Sequence, residues 1–281
     1  MSAAETILSP EAVTGAHGSS LQRLVMPRLL DLFCCEGGAG TGYARAGFDV
    51  TGVDIVAKPR NPHPLIVADA VEYCREHGHE YDAIHASPPC QSYSKALRHM
   101  ATPQPMLIDA IREAMQDSGK PWVIENVVGA PLANDSDLFG RHGVELCGTM
   151  FGLRIYRHRI FEASFQLPLP PRPCDHTRHA MNPHRAEGRE RIYAEHGRQD
   201  PEKLWAAEMG VEWMSRHGAR EAVPPCFTEW IGASLAVEAK RHNESSADTA
   251  GVAPRHATDG IPPLSAALCY PLAESTQNTL P

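Results

Sequence analysis

Residues 28–54 read RLLDLFCCEGGAGTGYARAGFDVTGVD. The segment opens on a short apolar run, Arg28-Leu29-Leu30-Asp31-Leu32-Phe33, that ends in a glycine cluster. Thr41 to Ala46 then starts a helix, and a second run, Asp49-Val50-Thr51-Gly52-Val53-Asp54, ends in an acid. Strand, glycine-rich turn, helix and strand-end carboxylate form a nucleoside-cofactor arrangement, in which the acid holds two ribose hydroxyls. Glycines let the backbone approach a ligand closely and take positive φ. The spacing matches neither G-x-G-x-x-G nor a P-loop with its lysine, so NAD and ATP lose ground. A tight turn with no ligand stays open on these residues alone.

The alternation continues outward. Tyr81 to His85 is another strand, Pro105 to Asp117 carries Met106, Leu107, Ala110, Ile111, Ala114 and Met115 at helical spacing, and Trp122-Val123-Ile124 is a strand ending at Glu125-Asn126. Strands alternating with helices predict an α/β fold with a parallel sheet. Such sheets bind ligands beyond the carboxyl ends of their strands. Phe33, Asp54, Cys90 and Glu125 fall there, each after a separate strand. Cys90 lies in Ala86-Ser87-Pro88-Pro89-Cys90-Gln91-Ser92-Tyr93-Ser94. Two prolines stiffen the backbone before it. A free cysteine is ordinarily a small core filler; a nucleophile on a rigid loop is the other reading of these nine residues.

The chain has 281 residues, 42% of them hydrophobic and 21% charged, which fits a soluble globular protein of one large or two small domains. No apolar run is long enough to span a bilayer. MSAAETILSP lacks the basic start and apolar core of a signal peptide. Eight cysteines without a regular framework read as cytosolic thiols. The expectation is a cytoplasmic protein, monomeric and without a membrane partner. Net charge is −8, but Arg172 to Arg191 gathers Arg172, Arg178, Arg185, Arg189 and Arg191. A local basic patch outweighs the global sum for phosphate binding; the alternative is a solvated loop.

Five ordered motifs carry a resemblance. Asp31-Leu32-Phe33-Cys34-x-x-Gly37-Gly38, Asp54, Pro89-Cys90-Gln91, Glu125-Asn126-Val127 and Arg157-His158-Arg159 resemble, in order and spacing, the DNA (cytosine-5) methyltransferase family. Compact, phage-type members look similar also at Leu146-Cys147-Gly148-x-Met150-Phe151-Gly152-Leu153, at Met209-Gly210-x-x-Trp213-Met214 and at Pro224-Pro225-x-x-Thr228-Glu229-x-Ile231-Gly232. The resemblance covers Arg28 to Val237. It implies a Rossmann-like, S-adenosylmethionine-dependent catalytic domain with a small, mostly irregular target-recognition region, acting on double-stranded DNA in a restriction-modification or phage setting. The expected organisation is a loose leader (1–26), the cofactor-binding catalytic domain (27–160), the recognition region (161–204), a C-terminal segment returning to the catalytic domain (205–242) and a disordered tail (243–281).

The chemistry explains these residue types. C5 of cytosine is a poor nucleophile. If a thiolate adds to C6, C5 gains enamine character and can attack a sulfonium methyl, which is covalent catalysis. Cys90 is the expected nucleophile, with Arg157 and Arg159 as candidates for the positive charge that favours a thiolate. Addition pushes electrons toward N3, where Glu125 acts as general acid. The base must be flipped out of a duplex. Gln91 to Lys95 would close over it, with Gln91, Ser94 and Asn126 near the substrate, Asn126 ordering the loop, and Arg178, Arg185 and Arg189 on DNA. For the cofactor, the resemblance implies that Phe33 packs on adenine, Gly37 and Gly38 approach the methionine portion, Asp54 holds the ribose, Asp69 meets the adenine amino group, Pro88 lines the pocket, and Ala233 and Ser234 return to it.

Three positions depart from the family's pattern: Cys35 stands at a usual glycine, Ile155 at a frequent glutamine, and Ala233 at a usual asparagine. Cys174, His176, His179 and His184 form a C-x-H-x-x-H run that could bind zinc. A structural zinc site needs four ligands in defined pairs, so the expectation is no metal and a histidine-rich DNA-facing loop. Two rival functions remain: a tRNA cytosine-5 methyltransferase of the same fold, and a catalytically silent DNA-binding homologue.

Overall fold

The structure is a computed structural model and describes residues 26–90, 107–133, 142–177, 179–180, 190–191 and 201–251. The expected leader and most of the expected tail lie outside these residues.

Five strands run parallel: β1 (Arg28–Leu32), β2 (Asp49–Asp54), β3 (Leu65–Val67), β4 (Ala83–Ala86) and β5 (Trp122–Asn126). Two more follow, β6 (His142–Leu146) and β7 (Arg159–Ala163). The sheet order is β3-β2-β1-β4-β5-β7-β6, with β7 antiparallel to both neighbours. This is a Rossmann-like, doubly wound sheet with one antiparallel strand near its edge. The chain winds outward from β1 to β3, then crosses back to β4, so the order reverses between β1 and β4. A crevice opens there at the strands' carboxyl ends.

β4 and β5 are buried along their whole length because helices cover both sheet faces. On one face, α2 (Ala70–His77) and α3 (Ile108–Asp117) pack Val71, Ile111 and Met115 against Leu30, Leu32, Ile84 and Ile124. On the other, α1 (Gly38–Arg45) and α6 (Pro225–Gly251) pack Tyr43, Phe227, Ile231 and Leu235 against Leu29, Val50, Val123 and Phe161. Consecutive residues Leu29 and Leu30 thus serve opposite faces, as strand geometry requires. Full burial of Phe227 alone contributes roughly 1.5–3 kcal/mol. A Cβ at Gly42 would run into the Thr228 hydroxyl and the Pro225 carbonyl, so a glycine there lets α1 and α6 touch. Thr228 Oγ1 donates to the Ala39 carbonyl across that contact at 2.8 Å.

A third, smaller cluster holds α4 (Pro201–Met209) and α5 (Arg216–Glu221) through Ile155, Ala206, Met209, Val211, Met214, Ala219 and Ala222. Helix α1 begins at Gly38, ahead of the expected Thr41, because Gly37 takes a left-handed turn (φ 82°) directly before it. Strand β7 runs through the expected boundary at 160, and α6 continues past 242 to Gly251. No described helix is long and apolar enough to cross a membrane.

Candidate active site

Backbone strain marks the crevice. Among the described residues, the non-glycine residues with positive φ are Phe33 (57°), Cys35 (46°) and Arg157 (36°), and all belong to expected site motifs. Such conformations are held only where surrounding contacts over-determine them. Cys35, at a usual glycine, takes the left-handed conformation a glycine would take. Its amide donates to Asp54 Oδ2 at 3.0 Å, and its carbonyl accepts from Asn61 Nδ2 at 3.1 Å. A Cβ at Gly37 would lie 2.6 Å from Asn61 Oδ1 and 2.9 Å from Pro62, so this glycine is needed for the turn itself.

The crevice is a cavity of about 260 Å³. Phe33, Gly38, Asp54 and Pro88 line it together with Cys90, Glu125 and Arg159. Candidate cofactor and catalytic residues therefore share one cavity. Asp54, at the end of β2, accepts from the Cys35 and Val56 amides at 3.0 and 3.1 Å, one on each oxygen. Each carboxylate oxygen keeps acceptor capacity for a hydroxyl. An aromatic ring, a glycine turn and a strand-end carboxylate at the switch point fit the nucleoside part of an adenosine-type cofactor.

The catalytic candidates meet through the register of three strands. Asn126 pairs with Ile160, and Leu146 with Arg159. Because β7 runs antiparallel, its first residue, Arg159, lies at the carboxyl edge beside Glu125. Arg159 Nε is 2.8 Å from Glu125 Oε1, an ion pair in which that oxygen has no well-angled hydrogen bond. Glu125 is buried, and desolvation raises its pKa against Arg159, Arg157 and the Ser87 hydroxyl, which lower it. Burial also pushes the Cys90 thiol up; Arg159 opposes this, while Glu125 and Glu221 reinforce it. Desolvation outweighs the arginine, so the thiol form prevails at neutral pH.

Arg157 is not among the residues that line the cavity, although Ala222, its partner, is. Its guanidinium donates twice to the Ala222 carbonyl, at 3.0 Å from Nε and 2.6 Å from Nη2. Asn126 Nδ2 donates to the Pro88 carbonyl at 2.8 Å and its Oδ1 accepts from the Val127 amide at 2.9 Å, which ties the proline loop to β5. Asp69 caps α2, its Oδ1 accepting from Val71 and Glu72 amides at 2.9 and 3.0 Å. It does not line the cavity, nor do Ala233, exposed on α6, and half-buried Ser234. Gln91, Ser94, Arg178, Arg185 and Arg189 lie outside the described residues.

Sequence reading missed several contributors. His85 is fully buried, and burial lowers its pKa to about 3, so its ring is neutral. Tyr43 Oη is 3.0 Å from His85 Nδ1, and His85 Nε2 is 2.9 Å from Ser87 Oγ. If Tyr43 donates to Nδ1, Nε2–H donates to Ser87, which frees the Ser87 hydroxyl to donate to Glu125. Met214, Gly218, Glu221, Ala222 and Val223 complete the cavity wall from the C-terminal segment. The Met209–Met214 motif was the one signal for them. Its Trp213 indole donates to the Glu36 carbonyl at 2.9 Å, and the Glu36 carboxylate accepts from Ser215 N and Oγ at 2.5 and 2.6 Å.

Comparison with protein families and with curated proteins finds no match. Solved structures are similar. A proposed DNA modification methyltransferase encoded within a prophage of E. coli is 21% identical over 53% of this chain and 52% of that one, with a TM-score of 0.39. A mutant of Spodoptera frugiperda DNMT2 is 18% identical over 53% and 54%, with a TM-score of 0.36. The S. pombe Dnmt2 methyltransferase is 12% identical over 80% and 99%, with a TM-score of 0.41. The chain spans about half the length of the first two.

Proposed function

We propose that this protein transfers a methyl group from S-adenosylmethionine to C5 of cytosine in duplex DNA. The observation that carries the reading is the convergence of Cys90, Glu125 and Arg159 in the same cavity as Phe33 and Asp54. When bound, S-adenosylmethionine supplies an electrophilic methyl on a sulfonium. Phe33 and Asp54 hold the nucleoside, and the Gly37 turn lets backbone close on the remainder.

Cys90 gives its proton to water, and the thiolate bonds to C6 of the flipped base as the ring π electrons shift toward N3. Glu125, whose burial favours the protonated form, donates to N3 as electrons move there. Arg159 holds the Glu125 carboxyl in place and offsets the negative charge that attack creates. C5 then accepts the methyl. Water takes the C5 proton, the C5–H pair re-forms the C5–C6 double bond as the Cys90 thiolate leaves, and the N3 proton returns to Glu125. Pro88 and Pro89, tied by Asn126, keep the sulfur still through both steps. Because burial holds Cys90 in its thiol form, loss of that proton has to precede attack.

Labelled-methyl transfer to duplex DNA and to tRNA, compared side by side, tests the reading. Transfer to duplex DNA is expected, with sequencing that reports 5-methylcytosine locating the target site. Cys90→Ser is expected to reduce turnover by at least about a thousandfold, as removal of a covalent nucleophile does. Turnover on tRNA alone would overturn the substrate, and undiminished turnover by Cys90→Ser the mechanism.

A further inference from the structure

We propose that Cys147, His158, Cys174 and His176 bind one zinc ion. One ligand atom from each lies within 4.8 Å of all the others. Among the described residues no other set of three or more His, Cys, Asp or Glu side chains converges in this way. Cys147 Sγ is 3.4 Å from His176 Nε2, Cys174 Sγ is 3.0 Å from the same nitrogen, and Cys174 Sγ is 3.5 Å from His158 Nε2. A tetrahedral ion with Zn–S of about 2.3 Å and Zn–N of about 2.0–2.1 Å sets sulfur–nitrogen edges of about 3.6 Å. The three distances match or fall slightly short of such edges, as four ligands drawn around one point would.

The fold explains why distant residues meet. Leu146 ends β6 and pairs with Arg159 at the start of β7. The next residue on one strand, Cys147, therefore faces the preceding residue on the other, His158. The chain leaving β7 returns at Cys174 and His176. Sequence reading had grouped Cys174 and His176 with His179 and His184, whose side chains are outside the described residues. The structure instead joins them to the residue just after β6 and the residue just before β7, two strands that the sequence did not show.

The surroundings suit a metal. Two thiolates and two neutral imidazoles balance a divalent charge, and loading releases two protons. Thr149 Oγ1 is 3.2 Å from Cys147 Sγ and 3.8 Å from Cys174 Sγ, placed to donate to a thiolate. Its oxygen accepts from the Asp175 amide at 3.1 Å. The Tyr156 ring stacks on the His176 imidazole at 4.0 Å, and its hydroxyl donates to the His176 backbone carbonyl at 3.3 Å, so one tyrosine holds both the ring and the backbone of this residue. The Glu145 carboxylate lies 3.9 Å from His158 Nε2, the ligand nitrogen itself, so it adds negative charge beside the ion rather than orienting the ring. Outer partners of this kind tune and orient metal ligands.

Four protein ligands leave no open position, so the ion is structural. It pins the segment that begins the expected recognition region to the edge of the sheet. It also fixes His158, which stands between Arg157 and Arg159.

Zinc measured by mass spectrometry on protein made without a polyhistidine tag tests this. About one zinc per chain is expected, released by a mercurial reagent that titrates thiols. Cys174→Ser alters an exposed residue, and His176→Ala a half-buried one. Each should cut the zinc content at least about tenfold, whereas Cys74→Ser should leave it unchanged. Cobalt-loaded protein should show a thiolate-to-cobalt charge-transfer band that Cys174→Ser removes. Chelator should lower the thermal midpoint of the wild type and not that of Cys174→Ser. Purified protein without stoichiometric zinc that takes up none when zinc is added would overturn the proposal. So would a zinc content unaffected by both variants. The readout is metal, so it stands apart from whether methyl transfer occurs.

Discussion

Asp31 is a buried acid in the cavity wall, pushed up to about 8 mainly by desolvation, with Asp54 adding repulsion and the Gly40 amide opposing. That amide approaches without hydrogen-bond geometry. In the unfolded chain an aspartate ionises near about pH 4. The folded state thus holds a proton that the unfolded state has lost, and stability from this group falls as pH rises from about 4 to about 8. Asp31→Asn, close to the shape of the neutral acid, should raise the thermal midpoint near pH 8 and change it little near pH 4. An equal shift at both ends would sink this account. Glu221 works on the neighbouring thiol. It reinforces the raised pKa of Cys90, so Glu221→Gln should ease thiolate formation and move the acid limb of the rate–pH profile to lower pH. A limb that stays put would mean that Cys90 does not set it. Asp31 was legible as part of a motif, but its protonation was not, since that depends on which helix covers it. Glu221 carried no signal of its own beyond the nearby Met209–Met214 motif, being one acid in a polar stretch.

Among the elements, α3 and β7 are joined by a buried pair. Arg112 Nε donates to Glu162 Oε1 at 2.7 Å, and its Nη2 reaches Oε2 at 3.3 Å and the Pro131 carbonyl at 2.9 Å. Glu162 is fully buried and also accepts from the Ala133 amide at 2.7 Å. Breaking such a pair leaves an uncompensated charge, so Arg112→Met should destabilise by about 3–5 kcal/mol in urea unfolding, and Arg112→Met with Glu162→Gln by less. A single variant that loses under about 1 kcal/mol would show the pair to be relaxed by water. The strands β1, β2, β4 and β5 could be read because each is a short apolar run ended by a glycine, proline or acid. The sequences HGVEL and RIFEA of β6 and β7 have no such pattern. Their pairing is fixed by packing of Phe161 and Leu146 under α6, which is a long-range event. The antiparallel turn that brings Arg159 to Glu125, and Cys147 to His158, therefore had to come from the structure.

Across the whole molecule, the chain closes its own cavity. Glu36, in the glycine loop after β1, holds Trp213 through its carbonyl and Ser215 through its carboxylate, and so draws α5 over the crevice. Gly218 is part of the fit, since a Cβ there would lie 2.5 Å from Glu36 Oε2. Met214, Gly218, Glu221, Ala222 and Val223 reach the cavity by this route, whereas Ala233 and Ser234, further along, sit out on α6. Hydrogen bonds to a charged acceptor contribute about 1.5–3 kcal/mol each at most, and these are half-buried, so Glu36→Ala should destabilise by about 2 kcal/mol. Its larger effect should be on the cofactor. With the wall loosened, the Kd for S-adenosylmethionine by calorimetry should rise about tenfold, a change of about 1.4 kcal/mol. A control separates this from general destabilisation: Ile231→Val, in the α1–α6 core away from the cavity, should lower stability by about 1 kcal/mol and leave the Kd unchanged. If both variants weaken binding alike, closure by Glu36 does not govern the site. If Glu36→Ala lowers stability with Kd unmoved, the C-terminal wall is scaffolding and the cofactor is held by Phe33, Asp54 and the glycine turn alone.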